Sequence, residues 1–124
     1  MGENVPASLR GWFMIHFGVD MLFALPLLFF PVWTLGLFGI IESQTITARL
    51  VAAALIGIGG VSLWSYKKSK EHFESLLMLK IIWSFAAIIA LLLSLLQGAS
   101  AVVWLLVVIF AVFNGIWMYY LKRL

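Results

Sequence analysis

Hydrophobic positions fall into four long runs, about Leu9 to Phe30, Ala48 to Tyr66, Glu71 to Gln97 and Ser100 to Tyr120, separated by short polar breaks. Each run reaches the roughly 20 apolar residues that an α-helix needs to cross a bilayer, so the pattern predicts four spans. Pro26 is expected to kink the first span near its far end, and Pro31 to end it. The stretch that follows, PVWTLGLFGII, is apolar but short and broken by Gly36 and Gly39, which predicts an interfacial segment rather than another crossing. Glu42, Ser43, Gln44, Thr45 and Thr47 supply turn and N-cap chemistry ahead of the second span. Within that span the face of Ala53, Gly57 and Gly60 predicts close approach of another backbone and a tightly packed centre. Ser69 is placed as N-cap of the third span, Gly98 as its C-terminal cap residue, and Ser100 as the opening of the fourth. The third span is long enough to require tilt or protrusion. The expected fold class is therefore all-α: a polytopic membrane protein forming one antiparallel bundle of four transmembrane helices, with a short interfacial segment after the first span.

Composition supports the membrane assignment and removes other classes. Of 124 residues, 65% are hydrophobic and 10% charged, far from the balance of a soluble domain. No cleavage-site pattern follows the first apolar run, which argues for retaining it rather than reading it as a signal peptide. Cysteine is absent, so disulfide, thiol, iron-sulfur and thiolate-zinc chemistry all fall away. The formal charge of +3 lies in residues that flank hydrophobic segments, a membrane-topology use of Lys and Arg that gives no reason to expect a nucleic-acid partner. Arg10, Lys67, Lys68, Lys70, Lys122 and Arg123 would share one side, against Arg49 alone on the other. This bias predicts the plasma membrane with both termini cytoplasmic. Trp12, Trp64, Tyr66, Trp117, Tyr119 and Tyr120 would form the inner aromatic belt, and Trp33 and Trp104 the outer one.

Against this apolar background the polar residues inside the spans become the candidate chemistry. His16 and Asp20 lie four residues apart on one helical face, as do Lys80 and Ser84 on another helix. At a rise of about 1.5 Å per residue, His16, Ser62, Lys80, Ser84 and Asn114 fall at similar depth in the cytoplasmic half, with Asp20 somewhat deeper. An isolated acid near mid-membrane protonates or seeks shelter, so these residues predict one inward polar pocket in which Lys80 or a cationic His16 balances Asp20 and Asn114 and Ser84 complete the hydrogen bonds. A plainer account has Lys80 extending to the headgroups, His16 and Asp20 as a structural pair, and Asn114 as interhelical glue. Arg49, the outer-side candidate, would snorkel, pair with Glu42 or bind a ligand. His72 sits among solvated charges, and neither a metal nor a cofactor is expected. There is no phosphate-cradling glycine loop, nucleophile elbow or HExxH helix, and GIGG at Gly57 to Gly60 lies inside an apolar helix.

The first span ending in prolines before LGLFG (Leu35 to Gly39), and the ARLVAAALIGIGG run from Ala48 to Gly60 entered through Arg49, resemble the DoxX-like group of small four-helix membrane proteins. The resemblance implies a four-helix bundle and an accessory or assembly role, and carries no role for His16 or Asp20. The leading functional expectation is a noncatalytic module that binds a lipid-like or amphipathic molecule, or a membrane-protein partner or second copy, through the inner pocket. Two alternatives come from other classes. One is a small proton-coupled transporter or channel, which the absence of an inverted repeat weakens. The other is a membrane enzyme acting on an isoprenoid or sterol-like substrate by proton transfer between Asp20 and His16.

Overall fold

A computed structural model describes residues 5–42, 45–65 and 68–124. Among them are α1 (Ala7–Phe29), α2 (Pro31–Leu37), α3 (Ile46–Trp64), α4 (Lys70–Leu96) and α5 (Val103–Arg123), and no strand. Four of these, α1, α3, α4 and α5, are long and apolar enough to cross a membrane. Their lengths, 23, 19, 27 and 21 residues, correspond to about 35, 29, 41 and 32 Å, against a hydrocarbon core of about 30 Å. The chain is an all-α integral membrane protein. Tyr66 and Lys67, at the expected end of the second span, and Ser43 and Gln44 lie outside the described residues.

Two compact units divide the chain, one holding α1 to α3 and the other α4 and α5. In the first, α1 packs along α3, and α2 folds back against the C-terminal end of α1 and, more lightly, α3. The buried residues of α1 are Leu9, Phe13, His16, Asp20, Ala24 and Leu27, and those of α3 are Ala48, Ala52, Leu55, Gly59 and Ser62. Their intervals are all three or four, the narrow stripe of a helix that buries one seam and leaves the rest of its surface out. The remaining surface is apolar, with Leu22 at 69% and Leu50 at 65% exposure, as expected of helices whose solvent is lipid. Leu27, Ala48 and Ala52, with Leu28 and Leu35 beside them, close the α2 end of this unit.

Helix ends follow from backbone chemistry. Pro26 lies inside α1, which continues to Phe29; the Phe30 N–H then bonds to the Pro26 carbonyl at 2.7 Å, and Pro31 opens α2. The interfacial segment is thus a seven-residue helix, closed by Gly39 at φ 72°. There the Ile40 N–H bonds to the Leu35 carbonyl at 3.0 Å and the Gly39 N–H to Gly36 at 3.1 Å. Gly98, at φ 98°, ends α4 in the same way, with Ala99 bonding to Ser94 at 3.0 Å and Gly98 to Leu95 at 3.2 Å. Both are Schellman ends, which place one residue in the left-handed region that glycine enters without strain. The expected N-caps sit in position without capping through their side chains: Thr45 precedes α3 and Ser69 precedes α4, and neither makes a side-chain cap bond. Ser100 opens a turn rather than the last helix, which starts at Val103.

The packed face of α3 differs from expectation. Ala53 and Gly57 are exposed and Gly60 is only half-buried, and a Cβ built on Gly57 or Gly60 would meet nothing within 4 Å. The close approach occurs at Gly59, where an added Cβ would stand 2.9 Å from the Asp20 Cβ and 3.1 Å from the Met21 Cε. α3 carries small residues on every side, and the bulk of α1 selects which of them is covered.

Candidate functional site

In the α1–α3 unit, the four-residue spacing brings the His16 Nε2 to 3.4 Å from the Asp20 Oδ1, with the two side chains 5% and 7% exposed. The glycine at 59 is what admits the acid, since any side chain there would occupy the space of the Asp20 Cβ and carboxylate. Ser62, fully buried one turn further along α3, donates to the Ile58 carbonyl at 3.1 Å, returning its hydroxyl to its own helix. The result is an acid and an imidazole at ion-pair distance inside a helix pair with an apolar exterior.

In the α4–α5 unit the polar residues bond across helices. Asn114 on α5 donates to the Ile81 carbonyl at 3.1 Å and to the Ser84 Oγ at 2.9 Å, while Ser84 donates to the Lys80 carbonyl at 2.7 Å. Lys80 is 2% exposed and its ammonium lies 5.1 Å from the centre of the Trp117 ring, so it is held inward over an aromatic face instead of extending to the headgroups. Trp117 in turn stacks on Phe113 at 5.5 Å. Lys80 and Ser84 occupy the buried stripe of α4 together with Phe73 and Leu77. Of the expected pocket residues, one set, His16, Asp20 and Ser62, lies on the α1–α3 pair, and the other, Lys80, Ser84 and Asn114, on the α4–α5 pair.

Arg49 belongs to neither set. Its Nε donates to the Leu28 carbonyl at 3.0 Å and its Nη1 to the Thr45 Oγ1 at 2.9 Å, so its contacts go to these groups rather than to Glu42. Pro31 breaks the helical ladder beyond Phe29 and leaves carbonyls of the last turn of α1 without helical donors. Arg49 supplies one, tying the end of α1 to the start of α3.

Several contributors lay outside the expected set. Trp117 and Tyr120, assigned to an aromatic belt, are buried at 0% and 8% exposure, whereas Trp33, Trp64, Trp104 and Tyr119 do stand out from the helices. Trp117 follows Asn114 by three residues and Tyr120 follows Trp117 by three, a spacing that places them on the polar face of α5 and could have identified them. Thr34 is also buried and donates to the Phe30 carbonyl at 2.8 Å. Ser65, fully buried after α3, gives no signal in a local pattern. Among the described residues no group of three His, Asp or Glu side chains is arranged to hold a metal ion. No protein-family model, curated protein or solved structure matches the chain.

Proposed function

We propose that the chain is a small noncatalytic membrane module that holds an amphipathic, lipid-like molecule by its polar part. The observation that carries this reading is the burial of an acid and a cation, Asp20 at 5% and Lys80 at 2% exposure, within helices whose outward surfaces are apolar. Charged groups at membrane depth are costly to keep and mark functional positions by default. Asp20 has His16 beside it, and the Lys80 ammonium faces the Trp117 ring. An acid with its imidazole in one helix pair, or an ammonium over an indole ring in the other, suits the polar part of a headgroup, while the apolar helix surfaces suit its hydrocarbon portion.

Native mass spectrometry of the protein released from detergent tests the proposal. Wild-type protein should retain a lipid-like mass through repeated detergent washing. Asp20→Asn and Lys80→Gln each test one helix pair: the variant in the pair that holds the molecule should lose it, and both should keep their helical circular dichroism. Equal retention in all three proteins, or none in the wild type, overturns the reading.

The same reading places the chain in the plasma membrane with both ends cytoplasmic, on the strength of the basic residues at Arg10, Lys67, Lys68, Lys70, Lys122 and Arg123 against Arg49 alone. Because the sequence has no cysteine, single cysteines report topology without background. In intact cells a membrane-impermeant maleimide should label Glu42→Cys and spare Lys122→Cys; the reverse result inverts the orientation. Kinship with the DoxX-like group is part of this proposal. It rests on the sequence alone, on the prolines before LGLFG (Leu35 to Gly39) and the ARLVAAALIGIGG run from Ala48 to Gly60.

A further inference from the structure

The C-terminal two turns of α5 carry an open groove of about 530 Å³ lined by Gly115, Met118, Tyr119, Lys122 and Arg123. These residues belong to α5 alone and share none of the buried polar groups described above. Their order along the helix is graded. Gly115 is a notch in which an added Cβ would meet nothing within 4 Å. Met118 and Tyr119, 46% and 52% exposed, form the walls, and the two cations close the far end. The Arg123 guanidinium lies 4.3 Å from the centre of the Tyr119 ring, so the tyrosine restrains its position. Among the described residues no acidic side chain lines the groove, and neither Lys122 nor Arg123 forms an ion pair.

We infer that this groove binds one anionic phospholipid of the surrounding leaflet, with the acyl chain over Gly115 and Met118, the glycerol region against Tyr119, and the phosphate between Lys122 and Arg123. Charge complementarity selects the occupant: two cations at the end of a membrane helix face the depth at which lipid phosphates lie, and the apolar notch about two turns deeper receives hydrocarbon. A helix C-terminus by itself repels anions through its exposed carbonyls, so the two side chains must supply the attraction. A soluble anion would use the cations and leave the notch empty. A lipid uses both ends, and this difference makes the assignment testable.

The full chain is reconstituted in nanodiscs that contain phosphatidylglycerol and phosphatidylcholine with identical acyl chains, and the lipids retained after release are counted by native mass spectrometry. Wild-type protein should prefer phosphatidylglycerol. That preference should fall about fivefold for each cation removed, as in Lys122→Gln and Arg123→Gln. Gly115→Leu keeps both charges and fills the notch, and it should also lose the preference; its helical circular dichroism should match wild type because the site opens outward. The Lys68→Gln/Lys70→Gln double variant removes two charges elsewhere, more than either single variant, and should keep the preference. An equal fall in that control, or an unchanged preference in Gly115→Leu, overturns the inference. Displacement of the lipid by millimolar glycerol phosphate would overturn it in favour of a simple anion site.

Discussion

The two helical units bury polar groups by different means. In α1–α3 the acid and its imidazole come from one helix, and the partner helix contributes an absence, the missing side chain of Gly59. In α4–α5 the partner helix contributes a donor, Asn114, which bonds to both a carbonyl and a hydroxyl across the pair. Burial also extends differently. The α1–α3 stripe runs to the α2 end through Ala24, Leu27, Ala48 and Ala52, whereas α4 has no buried residue beyond Ser84. Small residues and a third element close the first unit, and a hydrogen-bonded centre holds the second. The first helix pair therefore shelters its polar groups by shape and the second by bonding, and the two should fail differently.

Gly59→Leu should break the comparison most severely. The new side chain must displace Asp20 and Met21, so α1 and α3 separate, with an expected loss of about 3 kcal/mol or more, read as a lower unfolding midpoint in detergent. Asn114→Leu removes bonds but no space, and should lower stability by about 1 kcal/mol in the same assay. If Asn114→Leu proves the more damaging, the distinction between shape and bonding is wrong. Arg49→Ala sharpens the account of the α2 end. Losing the Leu28 contact at a site exposed to headgroup water should reduce stability by less than about 1 kcal/mol, and hydrogen exchange should rise at the end of α1 with little change in α4 and α5. The smallest effect belongs to Gly57→Ala, two residues from Gly59 but facing open space. It should be neutral or should stabilise by a few tenths of a kcal/mol through helix propensity.

Much of this arrangement is legible in the residue pattern. The four long helices follow from hydrophobic length, the end of α4 from Gly98, and the His16–Asp20 contact from a spacing of four. Periodicity could also have found the three-residue steps that link Asn114, Trp117 and Tyr120. The covered face of α3 was hidden for a clear reason. Ala52, Ala53, Ala54, Gly57, Gly59 and Gly60 offer a smooth surface in several directions, and only the side chains of α1 distinguish one from another. The hydroxyl caps misled in a similar way: Thr45 accepts from Arg49, and Ser69 precedes α4 without a side-chain cap bond. For Arg49 the sequence suggests snorkelling, a pair with Glu42 or a ligand, because its actual acceptor, a carbonyl near a proline break, lies 21 residues away in the chain.

The shelter that Gly59 gives to Asp20 has a consequence for how the chain is made. A ribosome delivers α1 before α3 exists, and at about 5–20 residues per second the intervening stretch takes on the order of seconds to synthesise. During that interval the carboxylate has His16, on its own helix, but not the shelter of α3. The first helix thus enters the bilayer unfinished, and its commitment to the lipid phase depends on a later helix.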